Sequence, residues 1–190
     1  MIGTVKIINL KDAREFIEKW HYSKKVPTGK NIFFGWYINE ELYAVADYGI
    51  GVNSYQSKFL SNITKKPVTN QNLLELKRLC RIEPKNSRLQ LTQFLSICHK
   101  ELKKQGYRYI VSFSDPEHNH NGGVYKAANF KYLGKTNPEI HVIDKDGVKR
   151  HRRYPYRYAK RNNISIQEAR KILNLEKIKT FPKDRWFIEI

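Results

Sequence analysis

The chain has 190 residues, enough for one well-buried domain, and its 40% hydrophobic and 13% aromatic content excludes a disordered protein. Thirty-six Lys and Arg against eighteen Asp and Glu leave a formal net charge of +18. Such an excess is typical of a protein that meets a polyanion, although it can also serve only to keep a protein in solution. No apolar run reaches the ~20 residues that span a bilayer, and the N-terminus lacks a signal-peptide layout, so we expect no membrane contact and a cytoplasmic location.

The first part of the chain predicts strands around one helix. Residues 4–10 are typical of an edge strand, and an amphipathic helix follows that ends near His21. The runs NIFFGWYI and ELYAVADYG are strand-like and are separated by two residues, which indicates a hairpin. Residues 50–72 are polar and rich in Asn, Ser, Thr and Lys, so we expect a long loop there.

A strand, a helix and a second strand follow this predicted loop. Residues 73–82 alternate between apolar and charged types, imperfectly at Lys77 and Arg78, which indicates a bulge or a charge that faces a ligand. Residues 87–106 predict an amphipathic helix. A right-handed crossover would then place a strand at 107–114 beside the strand at 73–82 and parallel to it.

The stretch after this last strand carries most of the functional prediction. The apolar strand stops at Ser114, and a loop rich in His and Asn leads to a short helix from about Val124 and another strand. Open α/β sheets bind ligands beyond the carboxyl ends of their strands. The polar side chains expected at that place are Asp115, His118, His120 and Tyr125.

The C-terminal part predicts a basic hairpin and a helix. EIHVID and VKRHRRYPY flank a turn at Asp146, and Ser165 with Glu168 forms a capping box for the helix. The final RWFIEI is strand-like. We therefore expect a catalytic domain over residues 1–145 and a basic extension over residues 146–190, packed on the same domain.

Tyrosines alternate with cations in the predicted hairpin. This mixture suits stacking on an extruded base and contact with phosphates, whereas the alternative is a solvated charged surface. The predicted nucleic-acid contacts are Lys149, Arg150, Arg152, Arg153, Tyr154, Tyr156 and Arg157.

The order of elements resembles the GNAT acyltransferase fold, an α/β (α+β) arrangement with a central mixed, largely antiparallel sheet flanked by helices. Three blocks also resemble the Mom family of phage DNA-modification proteins, namely HYS from His21, ELKRL from Glu75 and SFSDPEHNHNGGVYKAANFKYLG from Ser112. The resemblance implies a transferase that adds a carbamoylmethyl group to adenine N6 and hides phage DNA from host restriction enzymes. It also implies double-stranded DNA and a small donor molecule as partners in the host cytoplasm.

The resemblance suggests roles for four predicted catalytic residues. Asp115 would accept the proton of the weakly nucleophilic adenine N6, or it only caps a turn. Tyr125 stands where GNAT enzymes often place the tyrosine that protonates a departing thiolate, or it is a core aromatic. His21 and Tyr22 hold the base or relay a proton, or they only end the first helix.

The sequence is compatible with two kinds of cofactor, a CoA thioester and a transition metal. GNAT enzymes commonly hold the coenzyme A pyrophosphate on a glycine-rich turn before the long helix, but the sequence here is NSRLQL, without glycine. A helix start still binds phosphate through its amides, which allows acetyl-CoA or another CoA thioester. His118 and His120, with Asp115 upstream, are candidate ligands for iron or another transition metal. The predicted cofactor contacts are Arg78, Lys85, Asn86, Ser87 and Arg88.

Two other functions fit parts of the sequence. An ordinary GNAT acetyltransferase acting on a protein or small amine is expected to have the glycine-rich turn and does not need a charge of +18. A basic nucleic-acid-binding module without catalysis would use the fold only as a scaffold.

Overall fold

The computed structural model describes residues 3–50, 54–82 and 90–190. Its helices and strands in chain order are β1 (Thr4–Ile8), α1 (Leu10–Trp20), β2 (Asn31–Ile38), β3 (Glu41–Gly49), α2 (Ser54–Thr64), β4 (Leu73–Arg81), α3 (Leu91–Lys104), β5 (Tyr109–Ser114), α4 (Gly123–Ala127), β6 (Lys131–Lys135), β7 (Ile140–Ile143), β8 (Lys149–His151), α5 (Tyr154–Asn162), α6 (Ile166–Leu173), β9 (Glu176–Lys179) and β10 (Asp184–Glu189). A 3-10 turn covers Pro116–His118.

The chain divides into two compact units, each with its own sheet. We call them the main unit, which contains a seven-stranded sheet, and the basic unit, which contains a three-stranded sheet with α5 and α6. The predicted division at residue 145 stays a prediction. The main unit comprises residues 1–114, 122–134 and 185–190, and the basic unit comprises residues 115–121 and 135–184.

The sheet of the main unit has the strand order β1-β2-β3-β4-β5-β10-β6. The first four strands pair antiparallel, and the β2–β3 hairpin turns at Asn39 and Glu40, which both have positive φ. β4 and β5 are parallel, with Leu73 opposite Tyr109, as the crossover rule predicts.

Helices cover both faces of this sheet. On one face Phe16 of α1 packs with Val45 of β3, and on the other face Phe94 of α3 packs with Ala44 and Ala46 of the same strand. Neighbouring residues of a strand point to opposite faces, so the two helices lie on opposite sides. The predicted fold, a mixed and largely antiparallel sheet flanked by helices, is confirmed.

Part of the predicted loop between residues 50 and 72 is helical. α2 buries Leu60 completely against the sheet. The hydroxyls of Ser61 and Thr64 donate to carbonyls one turn earlier, at 3.0 Å each. Such residues are more common in turns and caps than in helix interiors, and so the polar composition hid this helix.

The basic unit contains the predicted hairpin, formed by β7 and β8. His141 faces His151 across it, and β9 pairs with the other edge of β7. In the turn, Asp144 accepts hydrogen bonds from the backbone of Asp146 and Val148 at 3.2 and 2.8 Å. The turn is therefore fixed by one aspartate side chain as well as by its backbone.

The tyrosine-rich segment after β8 forms a helix, whereas the sequence predicted that it continued the strand. Pro155 lies in the first turn of α5, where its missing N–H would have no intrahelical partner. Asn163 ends the helix in the left-handed conformation, with φ of 50°. α6 then begins with the predicted capping box of Ser165 and Glu168.

Candidate active site

β4 and β5 stop pairing in the middle of the main unit. Their last pair is Leu76 with Ser112, although β4 continues to Arg81 and β5 to Ser114. Among the residues that the structure describes, no β4–β5 pair follows. The strands therefore separate toward the carboxyl end of β5, where open α/β sheets bind ligands.

A bulge interrupts β4 at the same level. Asp47 of β3 faces Arg78, but the next residue, Tyr48, faces Leu76, so Lys77 is one extra residue on β4. This confirms the irregularity predicted at Lys77 and Arg78. Bulges re-aim side chains and are frequent beside active sites.

Tyr125 on α4 lies near the hydroxyl of Ser112, which lowers the pKa of the phenol by hydrogen bonding to its charged form. Ser112 Oγ donates to the carbonyl oxygen of Leu76 at 2.8 Å. A serine hydroxyl carries one proton, and in this structure that proton is directed at Leu76. The predicted tyrosine thus lies near the last pair between β4 and β5.

The entry to α4 is fixed by Trp186 of β10. Its Nε1 donates to Ser114 Oγ at 2.9 Å, and its ring lies 5.9 Å from that of Tyr125, between centroids. Gly122 has φ of +75°, and a Cβ at this position would lie less than 3.0 Å from the Trp186 ring. Only glycine satisfies both constraints, so Gly122 and Trp186 together set the position of Tyr125.

The surroundings of Tyr125 keep its hydroxyl protonated. Burial raises the pKa of Tyr125, Tyr22 and Glu75 raise it further, and Ser112 and Arg78 act in the opposite direction. Ser112 lowers it because its hydroxyl can turn and donate to a phenolate. With a raised pKa, Tyr125 is a proton donor at neutral pH rather than a base.

Two other predicted site residues, Tyr22 and Arg78, therefore lie close enough to Tyr125 to shift its pKa. The sequence analysis missed Glu75 and Ser112 as site residues. Both lie in the ELKRL and SFSDP blocks that carried the family resemblance, which was the available signal.

His21 and Tyr22 follow the end of α1. His21 is 7% exposed, and its Nδ1 accepts a hydrogen bond from the backbone N–H of Ser23 at 3.1 Å. In the neutral ring this places the proton on Nε2. The ring centroids of His21 and Tyr22 lie 4.3 Å apart, so the imidazole packs against the tyrosine ring. Tyr22 in turn raises the pKa of Tyr125.

Arg78 is held by backbone carbonyls. Its Nε donates to the oxygen of Lys25 at 3.1 Å, and its Nη1 donates to the oxygen of Lys77 at 2.7 Å. Both of these acceptors are neutral, and the positive charge of Arg78 lowers the pKa of Asp47 and of Tyr125. Its contact with a cofactor stays a prediction.

Asp47 is a second acidic group that the sequence analysis missed. Its side chain is fully buried in β3, and neither oxygen has a hydrogen-bond partner within the described part of the chain. Burial raises its pKa to about 7, against the opposing charges of Lys77 and Arg78, while Glu75 raises it further. The only signal in the sequence is one acid inside an otherwise apolar run, AVADYG.

Asp115 follows β5 directly and belongs to the basic unit. Its side chain caps the 3-10 turn by accepting from the backbone of Glu117 at 3.2 Å, and Lys183 Nζ lies 3.7 Å from its other oxygen.

Over residues 3–50, 54–82 and 90–190, no three His, Cys, Asp or Glu side chains are placed to hold a metal ion. Asp115, His118 and His120 therefore do not fit the predicted metal, and we derive no step through one.

The predicted nucleic-acid contacts lie on β8 and α5. Lys149 pairs with Glu117 at 3.1 Å, and Arg150 pairs with Asp144 at 2.8 Å. The hydrogen bond from Arg150 is the largest cause that lowers the pKa of Asp144. Arg150 also lies over the ring of Tyr154, 5.2 Å from its centroid. Four more of the predicted contacts are exposed, namely Arg152, Arg153, Tyr156 and Arg157.

The predicted coenzyme A contacts at Lys85, Asn86, Ser87 and Arg88 lie outside the described residues. α3 begins immediately after them. Its N-cap residue, Gln90, makes no side-chain capping bond, and the first turn contains no acid. A helix start without a side-chain cap or an acid can receive a phosphate, although the amide of Gln93 already donates to the carbonyl of Gln90 at 2.9 Å.

A model of the Mom protein family matches residues 3–187. The GNAT domain of S. lividans PAT is 11% identical, with a TM-score of 0.54 over 99% of this chain and 90% of that chain. The ribosomal-protein-S18-alanine N-acetyltransferase of Escherichia coli is 12% identical, with a TM-score of 0.54 over 99% and 94%. A GNAT family acetyltransferase from Elizabethkingia anophelis, solved with acetyl-CoA bound, is 10% identical, with a TM-score of 0.50 over 100% and 99%. These likenesses show a GNAT fold.

No curated protein matches the chain. Among the described helices, none has both the length and the apolar character needed to cross a membrane.

Proposed function

The chain belongs to the Mom protein family, and from this premise we propose that it is a phage-type DNA-modification transferase. It attaches a carbamoylmethyl group to N6 of adenine in double-stranded DNA and so protects that DNA from restriction. The family match and the GNAT fold support a transferase. The acceptor amine and the transferred group are the proposal.

The placement of Tyr125 carries this proposal. A phenol with a raised pKa lies near Ser112, where β4 and β5 separate, and Tyr22, Glu75 and Arg78 are near enough to affect its pKa. Such a group can donate a proton to a leaving group or a developing anion. This arrangement supports a catalytic role, which a protein that only binds nucleic acid would not need.

The reaction requires one group that gains a proton and one that loses a proton. Adenine N6 is a weak nucleophile, because its lone pair is delocalised into the ring, and it must lose a proton when its new bond to carbon forms. Asp115 is the proposed acceptor of that proton, and Tyr125 is the proposed donor to the group that departs with the electron pair. The product is joined to N6 through a methylene carbon, so the step differs from an ordinary acetyl transfer.

A coenzyme A thioester is the proposed donor-side ligand. When bound, it would be held through its phosphates by the uncapped start of α3 with Lys85, Asn86, Ser87 and Arg88. Attack on its thioester carbonyl would give an amide, so that carbon is not the methylene carbon bonded to N6. Support comes from the Elizabethkingia anophelis structure, which contains acetyl-CoA.

Double-stranded DNA is the proposed acceptor because of where the positive charge lies. The chain carries a formal net charge of +18, and no acidic residue occurs between Asp146 and Glu168, across β8 and α5. Phosphate neutralisation by such a segment supplies sequence-independent affinity.

Nucleoside mass spectrometry tests the proposal. Plasmid DNA from bacteria that express the chain should yield a deoxyadenosine heavier by one carbamoylmethyl group, which plasmid DNA from bacteria with an empty vector lacks. Unmodified DNA alongside an acetylated protein or amine would favour the ordinary acetyltransferase. Unmodified DNA together with tight DNA binding would favour the non-catalytic binding module.

A further inference from the structure

The basic unit contains a cavity that the sequence analysis did not predict. Its volume is about 640 Å³, and Ile140, Val142 and Leu175 give it an apolar floor. This volume lies within the range of ~300–1,000 Å³ that is usual for small-molecule sites. A planar, partly apolar ligand fits such a floor better than a hydrated ion.

Four cations line the cavity, and no acidic side chain does. They are Arg152, Arg153, Arg170 and Lys177. In the described residues none of them forms an ion pair with an acid, in contrast to Lys149 and Arg150 in the same unit. Their charges add within a partly enclosed space, which favours an anionic ligand.

One aromatic ring stands beside these cations. Tyr156 on α5 lines the cavity, and the guanidinium of Arg170 on α6 lies 5.9 Å from its ring centroid. Arg170 Nη2 also donates to the Tyr156 hydroxyl at 3.5 Å. An aromatic face and an arginine plane are the two surfaces on which nucleic-acid bases stack.

We propose that this cavity binds one nucleotide of a DNA strand, with the base against the apolar floor and Tyr156 and the phosphate among the four cations. The inference rests on the proposed function, because it takes DNA as the partner. It adds a defined nucleotide site, and it adds Arg170 and Lys177 to the DNA-contacting residues. Arginine is suited to the phosphate, since its planar fork can bind two oxygens at once.

Calorimetric titration of the full chain with three probes tests the ligand class. Deoxyadenosine monophosphate should bind more tightly than either deoxyadenosine or inorganic phosphate, because only the nucleotide uses both the floor and the cations. If inorganic phosphate bound as tightly as the nucleotide, the cavity would be a simple anion site and the inference would be overturned.

Paired variants test the place of binding. Arg170→Ala and Lys177→Ala should each weaken nucleotide binding about tenfold, the loss expected for one charge-assisted hydrogen bond. The matched control is Lys171→Ala, since Lys171 is an exposed cation next to Arg170 that does not line the cavity. Equal melting temperatures confirm that the variants fold. Parental affinity in both cavity variants would contradict the inference.

A third measurement separates a DNA strand from the nucleotide part of coenzyme A. For duplex DNA, the slope of log affinity against log salt should become shallower by about 0.9 in Arg170→Ala, whereas coenzyme A affinity should not change. Loss of coenzyme A binding with unchanged DNA binding would overturn the assignment to DNA. The nucleotide site and the proposed function are tested independently. If nucleoside mass spectrometry found no modified adenine, the proposed function would be wrong, but the calorimetric evidence for the nucleotide site would still stand.

Discussion

Ser112 Oγ donates a 2.8 Å hydrogen bond to the carbonyl oxygen of Leu76, in the last pair that joins β4 to β5. The same hydroxyl affects the pKa of Tyr125. The proposed acid therefore lies near the point at which two parallel strands separate.

Ser112→Ala should affect stability and activity together. The change removes the partner of a buried carbonyl, which typically costs about 1–3 kcal/mol of unfolding free energy. It also removes the hydroxyl that affects the pKa of Tyr125, so DNA modification should fall, but less than when the phenol itself is removed. Urea unfolding and the yield of modified adenine measure the two effects. A variant with parental values in both would show that this hydroxyl does not act on Tyr125.

Asp47 and His99 make opposite contributions to the pH dependence of stability. Burial raises the pKa of Asp47 from 3.8 to about 7 and lowers the pKa of His99 from 6.5 to about 4. Between about pH 4 and 6.5, folded Asp47 keeps a proton that the unfolded chain has lost, so its contribution falls as pH rises. Folded His99 excludes a proton that the unfolded chain holds, so its contribution rises. Each residue changes the unfolding free energy by up to about 1.4 kcal/mol per pH unit in this interval. The two changes have opposite signs, so they cancel in the parent protein.

Single variants should reveal each slope. Relative to the parent, Asp47→Asn should gain unfolding free energy as pH rises from about 4.5 to 6.5, and His99→Gln should lose it over the same interval. Urea unfolding at three pH values measures the difference from the parent, in which all other titrating groups cancel. Three parallel profiles would mean that neither side chain titrates as described.

Gly122→Ala should destabilise the main unit strongly. The added methyl group would collide with the Trp186 ring, in addition to the strain of φ at +75°. We expect a loss of more than about 2 kcal/mol of unfolding free energy. Gly134→Ala is the matched control, since Gly134 has φ of +83° but no atom within 4 Å of the place that the new methyl group would occupy, and it should lose only about 1 kcal/mol. Equal losses in urea unfolding would remove the role assigned to Trp186.

The sequence predicted those features of the fold that depend on local chemistry. The hairpin at Asn39 and Glu40, the parallel pairing of β4 with β5, and the capping box at Ser165 all follow from short patterns. α2 and α5 were missed because hydroxyl side chains and a proline resemble loop signals, although both are accommodated within these helices.

Tyr22, Arg78 and Tyr125 were proposed from the family blocks, and the structure brings them close enough for Tyr22 and Arg78 to affect the pKa of Tyr125, while their roles stay predictions. Asp47 was not predicted, because its environment depends on the bulge at Lys77 and on strand register, which no local pattern fixes. Ser112 lies in a family block, but its bond to the Leu76 carbonyl depends on the register of β4 with β5. The cavity of the basic unit was missed for a similar reason. Its lining residues range from Ile140 to Lys177 along the chain, and the fold brings them together.

Asp115→Asn should remove the proposed proton acceptor without disturbing its turn. The amide oxygen of asparagine can still accept the hydrogen bond from the backbone of Glu117, so unfolding free energy should change little. Loss of a general base typically lowers the rate about 10²–10⁴-fold. Single-turnover assays on duplex DNA, with binding measured in parallel, give both values. Parental rates would reduce Asp115 to a turn-capping residue.

The central claim is that Tyr125 supplies a proton during modification of DNA. Tyr125→Phe removes one hydroxyl and keeps the ring that packs against Phe130 at 5.4 Å and Trp186 at 5.9 Å, so the fold should persist. Tyr132→Phe is the control, because the side chain of Tyr132 is 51% exposed and also lies beside Trp186. The decisive measurement is the fraction of carbamoylmethylated deoxyadenosine in plasmid DNA, determined by nucleoside mass spectrometry. We expect a parental fraction with Tyr132→Phe and none detectable with Tyr125→Phe, whereas a parental fraction with Tyr125→Phe would show that its hydroxyl supplies no proton.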